Sequence, residues 1–393
     1  MQTFYIIGIS DDRNQFLSPE IRNLVSQGKV FSGGKRHHEL VHAYLPEDAV
    51  WIDITVPLDA VFCRYEEHSE IIVFASGDPL FFGFANTVMR KLPSAKIILF
   101  PTFNSLQMLA HRILLPYQEM QTLSLTGRPW DAFDSALIRG DKLIGVLTDR
   151  EKTPATIAAR MLEYGYDNYR MTVGDALGNG EEESVRTFSL EEASQSAFRF
   201  PNCLILQRNK VHPRPFGIPE SEFHLLNGRN RMITKMPVRL LTLSMLTLRE
   251  KKSFWDIGFC TGSVSIEAKL QFPELKVTAF EQRPEGKELM ARNSRKFGTP
   301  GITTVMGDFL ETELGGLPAP DAVFIGGHGG KMIEILQKIK EVLLPDGVIV
   351  FNSVSEESKA LFTKGITQIN KKVTQCTRIA VDAFNPIEIM RAE

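Results

Sequence analysis

A glycine-containing turn at residues 256–268, DIGFCTGSVSIEA, carries the clearest chemical pattern in the sequence. An apolar strand ends at Asp256, the chain turns through Gly258 and Gly262, and a helical pattern begins at about Ser263. Backbone N–H groups at the start of a helix favour an anionic or strongly polar ligand, and glycine lets the backbone approach that ligand closely. The stretch therefore predicts a site for a small polar molecule.

Two carboxylates follow this turn at the ends of the next two predicted strands. Glu281 is placed to accept hydrogen bonds from both hydroxyls of a ribose, and Asp308 is placed to accept one from an adenine amino group. An adenosine-containing ligand is expected at this edge of the sheet, and dinucleotides and S-adenosylmethionine both satisfy the pattern. The D-x-G form of the first turn and a hairpin-like C-terminal end favour S-adenosylmethionine. The predicted cofactor residues of this half are Asp256, Gly258, Thr261, Gly262, Ser263, Glu281, Asp308 and Gly326.

A different turn, ASGDPLFFGFA at residues 75–85, follows an apolar strand in the first half of the chain. Ser76, Gly77 and Asp78 form the turn with Pro79, and Gly83 is expected inside the next helix. A Gly-Asp pair alone is weak evidence, because turns in general favour these residues.

The elements that position both turns are short β-branched runs separated by helical patterns, which is typical of parallel α/β layers. Strands are predicted in the first half at 4–10, 50–54, 71–76, 96–100, 142–148, 169–173, 184–189 and 203–207, the last three antiparallel. In the second half they are predicted at 253–258, 276–281, 302–307, 321–327 and 347–353, followed by a final hairpin within 377–393 that breaks at Asn385. Three prolines in 208–220 indicate a linker. We therefore expect domains at 1–209 and 221–393, joined by a linker at 210–220.

Composition excludes several classes of function. With 393 residues, 45 Lys+Arg against 47 Asp+Glu and a formal charge of -2, the chain has no basic field that would concentrate nucleic acid or anionic lipid. The four cysteines lack CxxC spacing, so we expect neither a disulfide framework nor a bound metal. The N-terminal apolar run is too short for a signal peptide or a membrane span. We expect a cytoplasmic protein.

The first half resembles the class III, or tetrapyrrole, methylases. The resemblance combines IIGIS around Gly8, the GDP turn, and GVLTDREKTPATIA at 145–158. It implies that the GDP turn binds S-adenosylmethionine and that a later turn helps to seat the adenosine. The residues of that later turn are Thr148, Asp149, Thr153 and Pro154.

Taken whole, the sequence resembles the bifunctional precorrin C5,15-methyltransferase (decarboxylating) family of cobalamin synthesis, in which a class III methylase precedes a class I Rossmann-like methyltransferase. The motifs are GGKRHHEL (33–40), SGDPLFFG (76–83), LTGRPWDAF (125–133), RMITKMPVR (231–239), FWDIGFCTGSVSIEA (254–268), AFEQRPE (279–285) and DAVFIGGHGGKM (321–332). The resemblance implies S-adenosylmethionine as cofactor, a precorrin as substrate and a homo-oligomer. It further implies that the second half methylates carbon 15 and removes the carbon-12 acetate carboxyl, and that the first half methylates carbon 5.

A macrocycle rimmed with carboxylates requires cationic side chains, and arginine suits bidentate contacts. The substrate-binding candidates are Arg36, His37 and Arg128 in the first half, and Arg229 and Arg239 in the second. We assign catalytic roles to His328, Lys235 and Arg231. His328 is expected to orient the acetate or handle a proton, and Lys235 and Arg239 are expected to share a helix face.

Other functions stay open at this stage. An RNA methyltransferase fusion would require a basic stripe and aromatic stacking platforms. A regulatory module with one inactive cofactor site is suggested by Cys260, which replaces the middle glycine of the class I motif D-x-G-x-G-x-G, and by the turn GISDD. A dehydrogenase is disfavoured because neither half contains G-x-G-x-x-G.

Overall fold

The computed structural model describes residues 2–226, 232–382 and 386–393. Its residues group into two compact units. The first unit comprises Met1–Arg128, Lys142–Ala159 and Tyr169–Asn209, and the second comprises Pro129–Asp141, Arg160–Asn168 and Lys210–Glu393. Arg229, Arg231 and Asn385 lie outside the described residues.

The first unit begins with a parallel sheet in the order β3-β2-β4-β1-β5. Phe4, Ile6 and Val73 of its central strands are fully buried, as expected where helices cover both faces of a parallel sheet. The elements are β1 (Thr3–Ile9), α1 (Pro19–Gln27), β2 (Val30–Gly33), α2 (Lys35–Val41), β3 (Val50–Asp53), α3 (Asp59–Tyr65), β4 (Glu70–Ser76), α4 (Phe84–Lys91), β5 (Lys96–Phe100) and α5 (Ser105–Arg112).

The following stretch of chain forms a mixed sheet in the order β6-β7-β10-β8-β9. The β6–β7 pair is parallel and the other pairs are antiparallel, which confirms the prediction for its last three strands. The elements are β6 (Gln121–Ser124), α6 (Asp131–Arg139), β7 (Leu143–Leu147), α7 (Pro154–Glu163), β8 (Tyr169–Asp175), β9 (Ser184–Phe188), α8 (Leu190–Ser194) and β10 (Asn202–Arg208).

The second unit contains a sheet in the order β13-β12-β11-β14-β15-β17-β16. The pairs from β13 to β15 are parallel, and β17 is antiparallel to both of its neighbours, so the predicted terminal hairpin is present. The elements are α9 (Met236–Met245), β11 (Ser253–Ile257), α10 (Ser263–Gln271), β12 (Lys276–Glu281), α11 (Glu285–Phe297), β13 (Ile302–Met306), β14 (Ala322–Ile325), α12 (Met332–Lys340), β15 (Val348–Ser353), α13 (Glu356–Gln368), β16 (Val373–Ile379) and β17 (Ile387–Ala392).

Strand alternation gives this sheet a core on each face. Phe254 of β11 packs into one apolar cluster and its neighbour Trp255 into another. Successive side chains of a strand point to opposite faces, so these two clusters cover opposite faces of the sheet. Both faces are therefore buried, and the polar residues of the strand lie at its end. Asp256 is therefore placed at the carboxyl edge, where a ligand can enter.

The unit division differs from the domains expected from sequence. Residues 129–141 and 160–168 group with the second unit, where Ser135 Oγ donates to Pro273 O at 2.7 Å and Tyr166 Oη donates to Gly298 O at 2.7 Å. The expected linker is also partly packed, because the Ile218 N–H donates to the buried Glu267 carboxylate. These contacts join residues far apart in sequence, so composition alone does not indicate them.

Within the described ranges, no helix has both the length and the apolar character that crossing a membrane requires. The same residues contain no group of three or more His, Cys, Asp or Glu side chains arranged to hold a metal ion.

Candidate functional sites

The carboxyl edge of the second unit is built around Asp256. Its Oδ2 accepts from the Ser265 N–H at 3.2 Å and the Ser265 hydroxyl at 2.6 Å, whereas its Oδ1 has no partner among the described residues. Burial raises the pKa of Asp256 to about 7, and nearby Glu281 adds to the rise. A buried carboxyl with one unsatisfied oxygen is suited to a cationic ligand group.

Glu281 is the second buried acid, at the end of the neighbouring strand β12. It is 3 % exposed, and its two oxygens accept from the Cys260 N–H at 2.8 Å and the Arg283 N–H at 3.0 Å. Glu281 therefore links the turn after β11 to the turn after β12. It also lines the cavity described below, as its predicted ribose-binding role requires.

Asp308 lies in the same cavity but already has a strong partner. Lys331 Nζ is 2.9 Å from Asp308 Oδ2, and the Leu310 N–H donates to Oδ1 at 2.9 Å. The Lys331 hydrogen bond lowers the pKa of Asp308. A contact between Asp308 and an adenine amino group stays a prediction, and it would have to coexist with this ion pair or replace it.

The turns that follow strands β11 and β14 approach each other closely, and the space between them is here named the glycine notch. A Cβ at Gly258, whose φ is +80°, would lie 2.9 Å from Gly327 N, and one at Gly326 would lie 3.0 Å from Gly258 O. Gly262 has φ +77° and caps helix α10, while Ser263 begins that helix. These glycines are needed because the chain folds tightly at the rim of the cavity.

A cavity of about 700 Å³ joins these groups, a size typical of small-molecule sites. Thr261 and His328 also line it. The Thr261 hydroxyl is buried and has no partner among the described residues. His328 Nδ1 accepts from the Gly330 N–H at 3.2 Å, and burial lowers the pKa of the ring. His328 is therefore a neutral imidazole whose Nε2–H is available as a donor.

Arg239 corrects the sequence prediction. It is fully buried, its Nε lies 2.8 Å from Glu267 Oε2, and it does not line the cavity, so its predicted role as a substrate-binding residue is wrong. Lys235 does line the cavity, but it precedes helix α9. The two residues therefore do not share a helix face, because Pro237 in the first turn makes the helix begin at Met236.

In the first unit, the backbone of the turn after β4 packs so closely against its neighbours that it leaves no room for a Cβ atom. A Cβ at Gly8 of β1 would lie 1.9 Å from Gly77 O, and one at Gly77, whose φ is +62°, would lie 2.8 Å from Asn104 Cα. Gly83 has an extended backbone and is the N-cap of helix α4, so it is not inside the helix as predicted. A Cβ there would lie 2.4 Å from Pro79 O. Asp78 Oδ1 accepts from the Leu80 N–H at 2.8 Å and stabilises the turn itself.

The turn after β7 carries the remaining residues implied for the cofactor. Thr148 Oγ1 donates to Asn202 O at 2.7 Å, and Thr153 Oγ1 accepts from the Thr156 N–H at 3.3 Å. Burial acts to raise the pKa of Asp149, but backbone N–H groups, including that of Lys152, outweigh it and lower the pKa. Asp149 and Thr153 hold the turn's own backbone, whereas Thr148 joins it to strand β10, and their contact with adenosine stays a prediction.

Arg36 and His37 converge on the turn after β4. His37 Nε2 lies 2.9 Å and Arg36 Nη2 lies 3.4 Å from Ser76 Oγ, and Arg36 Nε lies 3.0 Å from Asp11 Oδ1. The Gly34 N–H donates to His37 Nδ1 at 3.2 Å, which leaves the ring proton on Nε2. Burial, followed by the Arg36 charge, lowers the pKa of His37 to about 4. His37 is thus a neutral donor to Ser76.

Arg128 also lies beside this turn. Its guanidinium carbon is 5.0 Å from the ring centre of Phe82, a residue that is 38 % exposed and has φ +54°. Arg36 and His37, and the sequence-distant Arg128, are therefore all adjacent to the glycine turn of the first unit.

Several residues of these sites were missed by sequence reasoning. Each contacts a predicted residue through a hydrogen bond, an ion pair or, for Phe82, a cation–π contact, and they are Asp11, Phe82, Ser265, Glu267 and Lys331. Each of them lies inside a motif or turn quoted above, but the local sequence does not indicate which distant side chain it contacts.

The strand order of the second unit, with buried acids at the carboxyl ends of β11 and β12, defines a class I methyltransferase fold, and the first unit provides the class III methylase fold. The unsatisfied Asp256 and Thr261 oxygens and the glycine notch fit the charged and polar groups of S-adenosylmethionine. The protein is accordingly an S-adenosylmethionine-dependent C-methyltransferase with two methylase units.

Comparison with known proteins specifies the family. Residues 227–392 match the family described as precorrin methyltransferase domain. The chain is 33 % identical over 371 residues to precorrin-6Y C(5,15)-methyltransferase (decarboxylating) of Sinorhizobium sp. The aligned region covers 91 % of this chain and 86 % of that protein. The chain belongs to the precorrin-6Y C(5,15)-methyltransferase (decarboxylating) family.

Two further similarities concern part of the chain. Cobalt-precorrin-6B C(15)-methyltransferase (decarboxylating) of Salmonella typhimurium is 34 % identical over 162 residues, covering 41 % of this chain and 83 % of that protein. A solved structure of precorrin-6y C5,15-methyltransferase from Geobacter metallireducens is 33 % identical, with a TM-score of 0.42, and covers 47 % of this chain and 99 % of that one.

Proposed function

We propose that this chain uses S-adenosylmethionine to methylate a precorrin at carbons 5 and 15 and to remove the carboxyl of the carbon-12 acetate, converting precorrin-6Y/6B to precorrin-8X in cobalamin biosynthesis. The observation that carries the proposal is the similarity to the Sinorhizobium protein, which spans 91 % of the chain and therefore both units. We further propose that the protein is cytoplasmic, acts as a homo-oligomer and binds no nucleic acid.

The second unit is proposed to act at carbon 15 and the first unit at carbon 5. Asp256, Thr261 and Glu281 would hold the cofactor in the second unit, and Gly8, Gly77 and the turn after β7 would hold it in the first. S-adenosylmethionine supplies an electrophilic methyl group. An electron-rich ring carbon can attack it without a protein nucleophile, so the chain's main contributions are alignment and exclusion of water.

Decarboxylation is assigned to the cavity of the second unit. Loss of carbon dioxide leaves an electron pair on the side-chain carbon, and the conjugated macrocycle can accept that pair. A proton taken up from solvent at the same carbon then completes the methyl group. The Nε2–H of neutral His328 is suited to donate to the acetate carboxylate and orient it. Lys235, which lines the same cavity, is suited to a further ring carboxylate.

The test is incubation of the full chain with the precorrin substrate and methyl-labelled S-adenosylmethionine, counting the methyl groups added and the carbon dioxide released. We expect two methyl groups for each carbon dioxide. In His328→Ala, we expect carbon dioxide release to fall by about 10-fold or more while S-adenosylmethionine affinity changes little. Equal loss of both would contradict the assigned role of His328, and retention of total RNA on a filter would favour the RNA methyltransferase alternative.

A further inference from the structure

The segment Met232–Lys235, here named the strap, lines the cavity of the second unit and is fixed at two of its carbonyl groups. Cys260 Sγ lies 3.2 Å from Met232 O, within range of a thiol hydrogen bond. Arg239 Nη1 donates to Thr234 O at 2.8 Å. The strap is thus held near both of its ends by side chains from other elements.

The Arg239 side chain that contacts the strap is itself fixed by several buried partners. Arg239 and Glu267 are both fully buried and pair at 2.8 Å, and Arg239 also donates to Ile218 O. The Phe223 ring centre lies 5.2 Å from the guanidinium carbon. A buried ion pair with further hydrogen bonds fixes geometry, because each charge depends on its partner and on the surrounding donors and acceptors.

The Cys260 contact involves a strained residue. Cys260 has φ +52°, in the left-handed region that glycine adopts easily and other residues adopt at a cost. It stands where the class I motif usually has glycine, and its N–H is fixed by Glu281 at 2.8 Å. A side chain at this position therefore disfavours the turn locally and must be offset by the contacts that it makes.

We propose that Cys260 is a positioning residue whose thiol fixes the strap at the wall of the cofactor cavity and so sets where Lys235 meets the precorrin. The inference rests on the proposed function for its substrate, but the contact itself can be tested without substrate. The strap borders the cavity, whereas the acids expected to bind S-adenosylmethionine belong to β11 and β12. Loss of the thiol should therefore affect precorrin binding more than cofactor binding.

The first experiment is amide hydrogen exchange of the full chain, followed in the peptide that covers residues 232–235. Cys260→Ala removes the donor and keeps the strain, Cys260→Gly removes both, and Cys260→Ser restores a donor. We expect about 3- to 10-fold faster exchange in the Ala and Gly variants and partial recovery in the Ser variant. Unchanged exchange in both the Ala and Gly variants would overturn the inference.

The second experiment measures carbon-15 methylation. In Cys260→Ala we expect the KM for precorrin to rise about 3- to 10-fold, with S-adenosylmethionine affinity within about 2-fold of the parent, and partial rescue in Cys260→Ser. An equal loss of cofactor affinity would place the thiol in the cofactor site and overturn the positioning role. If the parent does not methylate precorrin, the proposed function fails, whereas the exchange result still decides the strap contact.

Asn370→Gly is the matched control for strain. Asn370 is exposed, has φ +61° and follows helix α13, so glycine relieves a left-handed residue outside the cavity lining. Asn370→Gly should raise Tm, by at most about 2–4 °C, whereas in Cys260→Gly the relieved strain and the lost thiol contact should largely cancel. Only Cys260→Gly should accelerate exchange in the strap. Equal acceleration in Asn370→Gly would show that the effect is not local and would overturn the inference.

Discussion

The two glycine turns of this molecule are stabilised in opposite ways. In the first unit, strands β1 and β4 approach so closely at Gly8 and Gly77 that a Cβ would lie 1.9 Å from a carbonyl oxygen. In the second unit, the corresponding turn accepts a side chain at Cys260 in a left-handed conformation, and the buried acids Asp256 and Glu281 fix it through hydrogen bonds. Both turns contain close backbone approaches, and the closest is at Gly8, whereas the buried acids make the second turn sensitive to altered charge as well.

The largest expected effect comes from adding one carbon atom to the first turn. In Gly8→Ala the new Cβ would overlap Gly77 O and displace the GDP turn. We expect a loss of about 100-fold or more in S-adenosylmethionine affinity of the first unit and a matching loss of carbon-5 methylation. Calorimetry should still detect the site of the second unit, and carbon-15 methylation should persist.

The control is Gly315→Ala, at a position where a Cβ would meet nothing within 4 Å. It should bind S-adenosylmethionine as the parent does. If Gly8→Ala retained both sites, close packing would not be what maintains the first turn.

A change of charge in the second turn should have the next largest effect. Glu281→Gln keeps the size of the side chain, but its NH2 group would face either the Cys260 N–H or the Arg283 N–H. One unsatisfied buried donor corresponds to about 10- to 100-fold in S-adenosylmethionine affinity of the second unit. Calorimetry should show the first-unit site unchanged, and weakening of both sites would mean that the acid acts on the whole fold.

A change of pH should alter the S-adenosylmethionine affinity of the second unit by less than these substitutions do. The pKa of Asp256 is about 7 in the folded protein because of burial, so the carboxyl is largely protonated at pH 6. A cationic ligand favours the ionised form, and we expect affinity to rise about 10-fold between pH 6 and pH 8, with proton release on binding at pH 6. Calorimetry in buffers of different ionisation enthalpy measures that release, which Asp256→Asn should abolish. Affinity independent of pH would show that Asp256 does not face the cation.

The positions of both glycine turns could be predicted from the sequence, because they depend on local patterns. Apolar strands followed by acids or glycines placed Asp256, Glu281 and Gly77 at strand ends, where the structure has them. Strand β2 was missed since it is short and contains Ser32, whose buried hydroxyl donates to Ile52 O at 2.7 Å. A polar residue satisfied by a distant partner has no local signature.

The same limit explains the error at Arg239. Its partner Glu267 lies on another helix, and a basic residue near a cavity motif resembles a substrate contact when its burial is unknown. The convergence of Asp11, Arg36 and Ser76 is likewise produced by parallel strands that end at the same edge. Contacts between sequence-distant side chains therefore had to come from the fold.

Protein stability should depend on pH with opposite sign at His37 and at Asp256, and this effect should be small. The pKa of His37 is about 4 in the folded protein and 6.5 when unperturbed, so the unfolded chain binds more protons between these values. The stability contributed by neutral His37 is therefore present above about pH 6.5 and lost as pH falls towards 4. Asp256 acts in reverse, because its folded pKa is raised from 3.8 to about 7 and stability falls as pH rises through that window. Thermal unfolding from pH 4 to pH 8 should accordingly show a smaller loss of Tm at acid pH in His37→Gln than in the parent, and a smaller decline of Tm towards pH 7 in Asp256→Asn.

Because His37 stays a neutral donor to Ser76, the carbon-5 methylation rate should fall only about 2- to 5-fold in His37→Gln, with an unchanged pH profile from pH 5.5 to pH 8. Loss of an inflection near pH 6.5 in that variant would instead identify His37 as a titrating base.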